Sequence, residues 1–266
     1  MRVNTQKAKQ VVLRYLHALK FASAAPDLLT WSNQAMKVKR KSDGTLVTGV
    51  DKKIDRILRS WILDEFPVDA ICSEEGIQEL DRDCWIFDPL DGTANFVNGR
   101  PQYALSIGYW SNNRPAFGII VTPGLEEFAI ISALKDYGIH IDGKKYKPQK
   151  PKTLMGGIDF RRTKRDISPE KFKNLLKYTA GEMRAIGSIA HGLTEVALGT
   201  LSFYIHSSPR IWDAAAGMAL LRESKKVTNL KRIDLLKLAS RKYRLPMFIT
   251  AQNSKILAKL SAILIS

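Results

Sequence analysis

The sequence predicts an α+β fold, on three observations. Apolar residues with helical spacing lie in the first quarter of the chain, short apolar runs separated by turn residues fill the middle, and helical patterns return after about residue 150. The chain has 266 residues, 45% of them hydrophobic, which is enough for a large core. We expect one compact unit or two tightly joined halves, residues 1–145 and 146–266.

Two helices are predicted before the first strands. The apolar positions of the first share one helical face: Val11, Val12, Tyr15, Leu16 and Leu19. Those of the second recur at i, i+3, i+4, i+7 and i+8, from Ile54 to Ile62. The segment before it, Thr48-Gly49-Val50-Asp51, is typical of a capping box, which would start this helix.

Strands and further helices follow from similar patterns. Apolar runs predict strands at 84–87, 103–109, 116–121 and 127–132, with turns at Asn112-Asn113, Pro123-Gly124 and Asp142-Gly143. We expect helices at 168–180, 188–199 and 213–223, then a strand at 247–251 and a helix from about residue 254.

Composition indicates an intracellular protein. The chain has only two cysteines, Cys72 and Cys84, too few for the disulfide framework of a small secreted domain. We therefore expect a reducing compartment. No stretch approaches the roughly 18 apolar residues of a membrane span, and the first residues lack the apolar core of a signal peptide. We therefore expect a cytoplasmic protein with no membrane partner.

The net charge is +16, and basic residues concentrate at 37–41, 144–173 and 222–244. Such a surface can attract nucleic acid, anionic membrane or polyanionic substrates. The alternative is a basic surface that only faces solvent. Zinc-ligand spacing and RNA-binding signatures are absent from the sequence.

The most informative motif follows the apolar run Trp85-Ile86-Phe87. Two carboxylates, Asp88 and Asp91, lie three residues apart and can reach one hard cation, with the Leu90 carbonyl as a further oxygen ligand for Mg²⁺. The N–H groups of Gly92 and Thr93 can open a short helix suited to phosphate. A metal beside a phosphate indicates phosphate-ester chemistry. The alternative is an ordinary surface turn.

Two other acidic elements accompany this motif. Glu74 and Glu75 follow a second apolar stretch, and Asp213 precedes the Ala-rich segment 214–217. Taken alone, a Glu pair is typical of a solvated face, and an Asp before a helical segment is typical of an N-cap.

Together these motifs resemble the inositol monophosphatase family, the lithium-sensitive, Mg²⁺-dependent phosphomonoesterases that include bisphosphate nucleotidases and fructose-bisphosphatase-like enzymes. Asp88 to Phe96 resembles the family's D-P-[LI]-D-G-T-x-N-F signature, and 212–217 resembles its second signature. Thr48-x-x-Asp51, Ser73-Glu74-Glu75-Gly76 and Gly187-Ser188 match in order. The resemblance implies a layered α/β/α/β/α sandwich whose halves meet at the metal site, and a homodimer.

The resemblance also implies the roles of the acidic residues. Glu75, Asp88 and the Leu90 carbonyl would hold one Mg²⁺, and Asp88, Asp91 and Asp213 a second. Glu75 and Thr93 would position the attacking water, and Asp51 would orient the Thr93 hydroxyl. Asp51 could instead be only the helix cap, and both roles are compatible. Glu74 remains open as an outer-sphere or third-metal ligand or a surface acid.

Substrate contacts carried over from the family are less well matched. His206 falls where inositol phosphatases have a Glu that binds ring hydroxyls, or is a packing histidine on a strand. Ile189 replaces a small residue, and Arg210 could meet a second anionic group. These changes fit a sugar phosphate, a nucleotide phosphate or histidinol phosphate. The full expected set of substrate residues is Asp91, Gly92, Thr93, Gly187, Ser188, Ile189, His206, Arg210 and Asp213.

The sequence therefore predicts a Mg²⁺-dependent phosphomonoesterase that hydrolyses a small phosphorylated metabolite with a metal-activated water. The alternative is a family member with weak or no catalysis that binds RNA or a transcription complex through its basic surface.

Overall fold

The computed structural model describes residues 5–30, 37–42, 44–76, 78–124, 126–160, 167–230 and 233–265. Parts of two predicted basic segments, residues 161–166 and 231–232, lie outside the described residues. The helices are α1 (Thr5–Thr30), α2 (Gly49–Glu65), α3 (Thr93–Val97), α4 (Pro169–Tyr178), α5 (Ile189–Leu198), α6 (Ile211–Glu223) and α7 (Ser254–Leu264). Two short 3₁₀ turns, Leu235–Lys237 and Ala239–Arg241, precede the last strand.

The first nine strands form a small hairpin and a large sheet. The hairpin pairs β1 (Lys39–Arg40) with β2 (Leu46–Val47). The large sheet has seven strands in chain order: β3 (Ala70–Ser73), β4 (Cys84–Asp91), β5 (Ala104–Ser111), β6 (Arg114–Pro123), β7 (Phe128–Leu134), β8 (Gly138–Ile141) and β9 (Lys144–Tyr146). Only the β3–β4 pair among them is parallel, so β3 and β4 end at the same edge of the sheet.

The later strands form a second, smaller sheet. Its order is β11-β10-β12-β14-β13. The strands are β10 (Gly156–Asp159), β11 (Met183–Arg184), β12 (Phe203–His206), β13 (Val227–Thr228) and β14 (Phe248–Ala251). Strand β10 runs parallel to both neighbours, and β14 runs antiparallel to its own neighbours.

Three apolar clusters separate the layers. Side chains of α1 and α2, such as Ala22 and Ile54, pack with Phe117 on one face of the large sheet. Side chains of α5 and α6 fill the space between the two sheets. Side chains of α4 and α7, such as Leu175 and Leu260, cover the outer face of the small sheet. This arrangement is an α/β/α/β/α sandwich, and the predicted fold class is confirmed.

Small residues let α6 lie directly on the large sheet. A Cβ atom at Gly118 would lie 2.2 Å from the Ala216 carbonyl oxygen, and one at Gly108 would lie 3.1 Å from the Ala215 Cβ. Larger side chains would therefore push the helix away from β5 and β6. This close contact fixes the start of α6, where Asp213 lies, relative to the sheet.

Each helix and strand named from the sequence is present within a few residues of its expected bounds. The main difference is β4, which continues to Asp91 instead of ending before Asp88, with an irregular register between these two residues. Cys72 and Cys84 are buried and free. Among the described helices, none combines the length and hydropathy that a bilayer crossing requires.

Candidate active site

The strand β4 carries two aspartates to the edge of the large sheet. All eight residues of β4 are buried, and Asp88 and Asp91 are only 2% and 8% exposed. The Leu90 N–H donates a hydrogen bond to Asp88 Oδ1 over 2.9 Å. Because the pairing with β5 is irregular between Asp88 and Asp91, the usual two-residue alternation of side chains does not apply there. Both carboxylates are thus held at one end of the strand.

Three carboxylates from different elements converge at this edge. One oxygen each from Glu74, Asp88 and Asp213 lies within 4.8 Å of the others. Glu74 follows β3, and Asp213 lies in the first turn of α6, where its Oδ2 accepts the Arg210 N–H over 2.8 Å. An all-carboxylate set is the donor chemistry that hard divalent cations such as Mg²⁺ prefer. The residues present therefore fit such an ion.

The electrostatics of Asp88 point the same way. Burial raises the pKa of Asp88 well above its usual range, and the negative charges of Glu74, Asp91 and Asp213 raise it further. Like charges brought together out of water disfavour ionisation unless a cation compensates them. A bound divalent cation would remove this penalty.

Asp91 lies beside the start of α5. Its Oδ2 accepts hydrogen bonds from the Ser188 hydroxyl over 2.7 Å and from the Ala190 N–H over 2.6 Å. Burial raises the pKa of Asp91 to about 7, although these two hydrogen bonds oppose the rise. Asp91 is close enough to affect Asp88 electrostatically, but the three-carboxylate group itself does not include it.

The two members of the Glu pair have different contacts. Glu74, not Glu75, joins Asp88 and Asp213 in the cluster. Glu75 instead accepts a short hydrogen bond from the ammonium group of Lys41, which also lies 2.8 Å from Glu74 Oε1. Burial alone would lower the pKa of Lys41, but the two glutamates raise it above its usual value. Lys41 thus supplies the positive charge beside these acids.

Asp51 makes both of the contacts considered from the sequence. Its Oδ2 accepts the Thr48 N–H over 2.8 Å, which completes the predicted capping box of α2. Its Oδ1 accepts the Thr93 hydroxyl over 3.1 Å. The same hydroxyl lies 3.0 Å from the Leu90 carbonyl oxygen. Burial raises the pKa of Asp51, and the bonds from Thr48 oppose the rise.

The sequence did not reveal the hydrogen bonds that hold the turn carrying the Glu pair. Asp55 Oδ1 accepts the Ser73 hydroxyl over 2.6 Å, and Ser73 Oγ accepts the Gly76 N–H over 3.0 Å. These bonds tie the 73–76 turn to α2. The available signal was the spacing, since Asp55 lies one helical turn after Asp51 on the buried face of α2.

The predicted substrate residues occupy two places. The first place is where α3 and α5 begin. Gly92, with φ of +86°, precedes α3, and the Ser188 hydroxyl caps α5 by accepting the His191 N–H. Thr93, Gly187 and Ile189 are their neighbours in sequence. His206 ends β12, is 6% exposed and accepts the Ser208 N–H at Nδ1 over 3.1 Å. The Arg210 guanidinium lies 5.0 Å from the centre of the Trp212 ring.

Comparison with known proteins assigns the family. The profile of the Inositol monophosphatase family matches residues 6–252, so the chain belongs to this family. It is 31% identical to the inositol-1-monophosphatase of Bacillus subtilis, with 72% of this chain and 75% of the relative covered. It is 30% identical to the Nus factor SuhB of Xylella fastidiosa, with coverages of 72% and 71%.

Solved structures show the same fold. An IMPase from Thermotoga maritima aligns with a TM-score of 0.77 at 22% identity, covering 94% of this chain and 97% of the other. A structure described as an IMPase/NADP phosphatase complexed with Mg²⁺ and phosphate aligns with a TM-score of 0.74 at 22% identity, with coverages of 96% and 94%.

Proposed function

We propose that this protein is a Mg²⁺-dependent phosphomonoesterase. The convergence of Glu74, Asp88 and Asp213 carries the proposal, because three carboxylates from three separate parts of the chain meet within 4.8 Å at the edge of the large sheet. Membership of the inositol monophosphatase family supports it. Such a cluster costs stability without a cation, so its presence supports a binding role.

The three clustered carboxylates would hold the ion. Asp91 and the Leu90 carbonyl, close to Asp88 in sequence, would be further oxygen ligands. The resemblance implies that Glu75 is also a ligand, and its Oε1 accepts a hydrogen bond from Lys41. Bound Mg²⁺ would neutralise phosphoryl oxygens and lower the pKa of a water.

The pair Asp51 and Thr93 would orient that water. The Thr93 hydroxyl lies within hydrogen-bond distance of two acceptors, Asp51 Oδ1 and the Leu90 carbonyl. Its single proton goes to one of them, so its oxygen lone pairs stay available to accept a hydrogen bond from a water. Thr93 would thus orient the water by a hydrogen bond, without itself being a metal ligand.

The substrate would be a small phosphorylated metabolite bound between the starts of α3 and α5. The phosphate group would lie against the N–H groups of Gly92 and Thr93. The Ala190 and His191 N–H groups at the start of α5 already donate to Asp91 and Ser188. Because His206 stands where inositol phosphatases have a Glu, we favour a sugar phosphate, nucleotide phosphate or histidinol phosphate over inositol phosphate.

Phosphate release tests this function. Wild type is assayed with Mg²⁺ on inositol 1-phosphate, sugar phosphates, 3′-phosphoadenosine 5′-phosphate and histidinol phosphate, beside Asp88→Asn. The exposed Asp81→Asn is the matched control. We expect Mg²⁺-dependent release from at least one substrate, loss in Asp88→Asn and wild-type rates in Asp81→Asn. Normal turnover by Asp88→Asn would refute the site.

A second candidate function is binding to RNA or a transcription complex. Relatives named Nus factor SuhB favour it, and so does the net charge of +16. Fluorescence anisotropy with a labelled single-stranded RNA would show binding that weakens as salt rises. Absence of binding at low salt would remove RNA as the partner.

A further inference from the structure

Asp159 is a partly buried acid that lies outside the carboxylate cluster and that the proposed chemistry does not use. It ends β10, and its Oδ1 accepts hydrogen bonds from the Ile186 N–H over 3.1 Å and the Gly187 N–H over 2.9 Å. Its Oδ2 accepts the Tyr204 hydroxyl over 2.7 Å. Three donors thus hold one carboxylate, and such a hydrogen-bond network rigidifies the groups that it joins.

The segment that Asp159 holds is the turn leading into α5. Gly187 has φ of +77°, a conformation that favours glycine. On the other side of the turn, the Asn95 side-chain amide donates to the Ile186 carbonyl over 2.8 Å. A Cβ atom at Gly187 would lie 2.8 Å from the Asn95 nitrogen. The turn is therefore fixed from both sides, by Asp159 on its N–H groups and by Asn95 on its carbonyl.

The same turn supplies the hydrogen bonds that hold Asp91. The Ser188 hydroxyl and the Ala190 N–H both donate to Asp91 Oδ2, over 2.7 and 2.6 Å. Both donors lie within four residues of the N–H groups that Asp159 accepts. A shift of the 186–188 turn would move them together, and the orientation of the Asp91 carboxylate with them.

Tyr204 fixes Asp159 in turn. Its ring is fully buried in β12, and its hydroxyl is the donor to Asp159 Oδ2. A Cβ atom at Gly192 of α5 would lie 2.5 Å from the Tyr204 ring. The ring thus packs directly against the helix whose first turn carries Ser188, and sheet and helix hold a single relative position.

We propose that Asp159 is a positioning residue of the metal site. It fixes the turn before α5, and this turn orients Asp91 beside the cluster of Glu74, Asp88 and Asp213. The inference rests on the proposed function, because it assumes that these carboxylates bind Mg²⁺. Groups that hydrogen-bond to metal ligands change metal affinity by roughly 10- to 100-fold. Since Asp159 acts through one further link, we expect the lower end of this range.

Mg²⁺ affinity without substrate, measured by titration calorimetry, tests the role. Asp159→Ala should weaken Mg²⁺ binding about tenfold, because the Ile186 and Gly187 N–H groups lose their acceptor. Asp159→Asn should stay within about threefold of wild type, since its amide oxygen can still accept both N–H groups. Asp234→Ala, an exposed acid in the same half of the chain, controls for loss of charge.

A second variant keeps the test decisive if Asp159→Ala does not fold. Tyr204→Phe removes only the hydroxyl and keeps the ring that packs on α5, so it should fold and weaken Mg²⁺ binding by about threefold. Wild-type affinity in both Tyr204→Phe and any folded Asp159→Ala, even with a lower melting temperature, would overturn the inference and leave Asp159 a structural residue.

The failure of this inference differs from the failure of the proposed function. If wild type binds Mg²⁺ and Asp88→Asn does not, while Asp159→Ala binds normally, only the positioning role is wrong. If wild type does not bind Mg²⁺, the metal site and the inference are both wrong.

Discussion

Residues 1–145 and residues 146–266 differ sharply in charge, although both contribute to the carboxylate site. The first range holds 19 Lys and Arg against 18 Asp and Glu, a net charge of +1. The second holds 23 against 8, a net charge of +15. Nearly all of the excess positive charge therefore belongs to the second range. The division of the chain at residue 145 itself stays a prediction.

The few acids of the second range have specific contacts. Asp213 joins Glu74 and Asp88 of the first range, and Asp159 holds the turn that leads to Ser188. Both acids are partly buried. The first range thus holds Glu74 and Asp88 of the cluster and the second holds Asp213, and we propose that Asp159 of the second range positions Asp91 beside them.

The largest expected effect tests whether the acids of the two ranges form one site. Asp88→Asn and Asp213→Asn should each lower Mg²⁺-dependent phosphate release by about a thousandfold, equivalent to about 4 kcal/mol of transition-state stabilisation. Because both act on one ion, the double variant should be no slower than either single variant.

Steady-state phosphate release by all three variants checks this expectation. Losses that multiply in the double variant would mean that Asp88 and Asp213 act independently. The two ranges would then contribute acids to two separate sites instead of one.

A smaller effect concerns the free energy of unfolding, and the first test is an ion pair in residues 1–145. Arg14 forms two hydrogen bonds to Asp69, of 2.6 and 2.7 Å, with side chains only 12% and 9% exposed. Its guanidinium lies 4.6 Å from the centre of the Phe66 ring, and Trp85 Nε1 also donates to Asp69. Arg14→Ala should lower the free energy of unfolding by about 3–5 kcal/mol, because it leaves a buried charge unpaired.

The matched control comes from the second range. Arg184 and Glu182 pair at 3.1 Å with side chains 53% and 54% exposed, so Arg184→Ala should cost less than about 1 kcal/mol. Urea unfolding of both variants measures the difference. Equal losses would show that burial of the ion pair does not decide its contribution.

A still smaller effect concerns Lys41, the cation beside the Glu pair. Lys41→Met removes the charge-assisted hydrogen bonds to Glu74 and Glu75, so it should destabilise the Mg²⁺-free protein by about 1–2 kcal/mol. Mg²⁺ should raise the melting temperature of this variant more than that of wild type, since the ion replaces the missing charge. Lys39→Met, on the same hairpin but exposed, should behave as wild type. The opposite order of Mg²⁺ effects would contradict this account.

The fold was predictable where periodicity is strong. The helical spacing from Ile54 to Ile62 and the apolar runs of β4 to β7 identified the elements that build the large sheet. The short strands β8 to β11 and β13 were not anticipated, because two to four residues give too little pattern to distinguish a strand from a loop.

Candidate ligands could be named from the sequence where acids accompany an element with a clear apolar pattern. Asp88 and Asp91 end β4, and Asp213 lies in the first turn of α6, and their role as ligands stays a prediction. The contacts of Glu74 and Glu75 with Lys41 could not be anticipated, because Lys41 is more than thirty residues away in sequence. Asp159 gave no signal either, because Ile186 and Gly187 reach it through the pairing of β10 with β11, and Tyr204 reaches it through the pairing of β10 with β12.

Mg²⁺ titration calorimetry on Asp213→Asn tests the central claim most directly, because Asp213 is the residue of 146–266 that lies in the carboxylate cluster. We predict that wild type binds Mg²⁺ with measurable heat and that Asp213→Asn, folded by circular dichroism, loses this binding or weakens it at least about tenfold. Unchanged Mg²⁺ affinity in a folded Asp213→Asn would contradict the claim that the two ranges share one metal site.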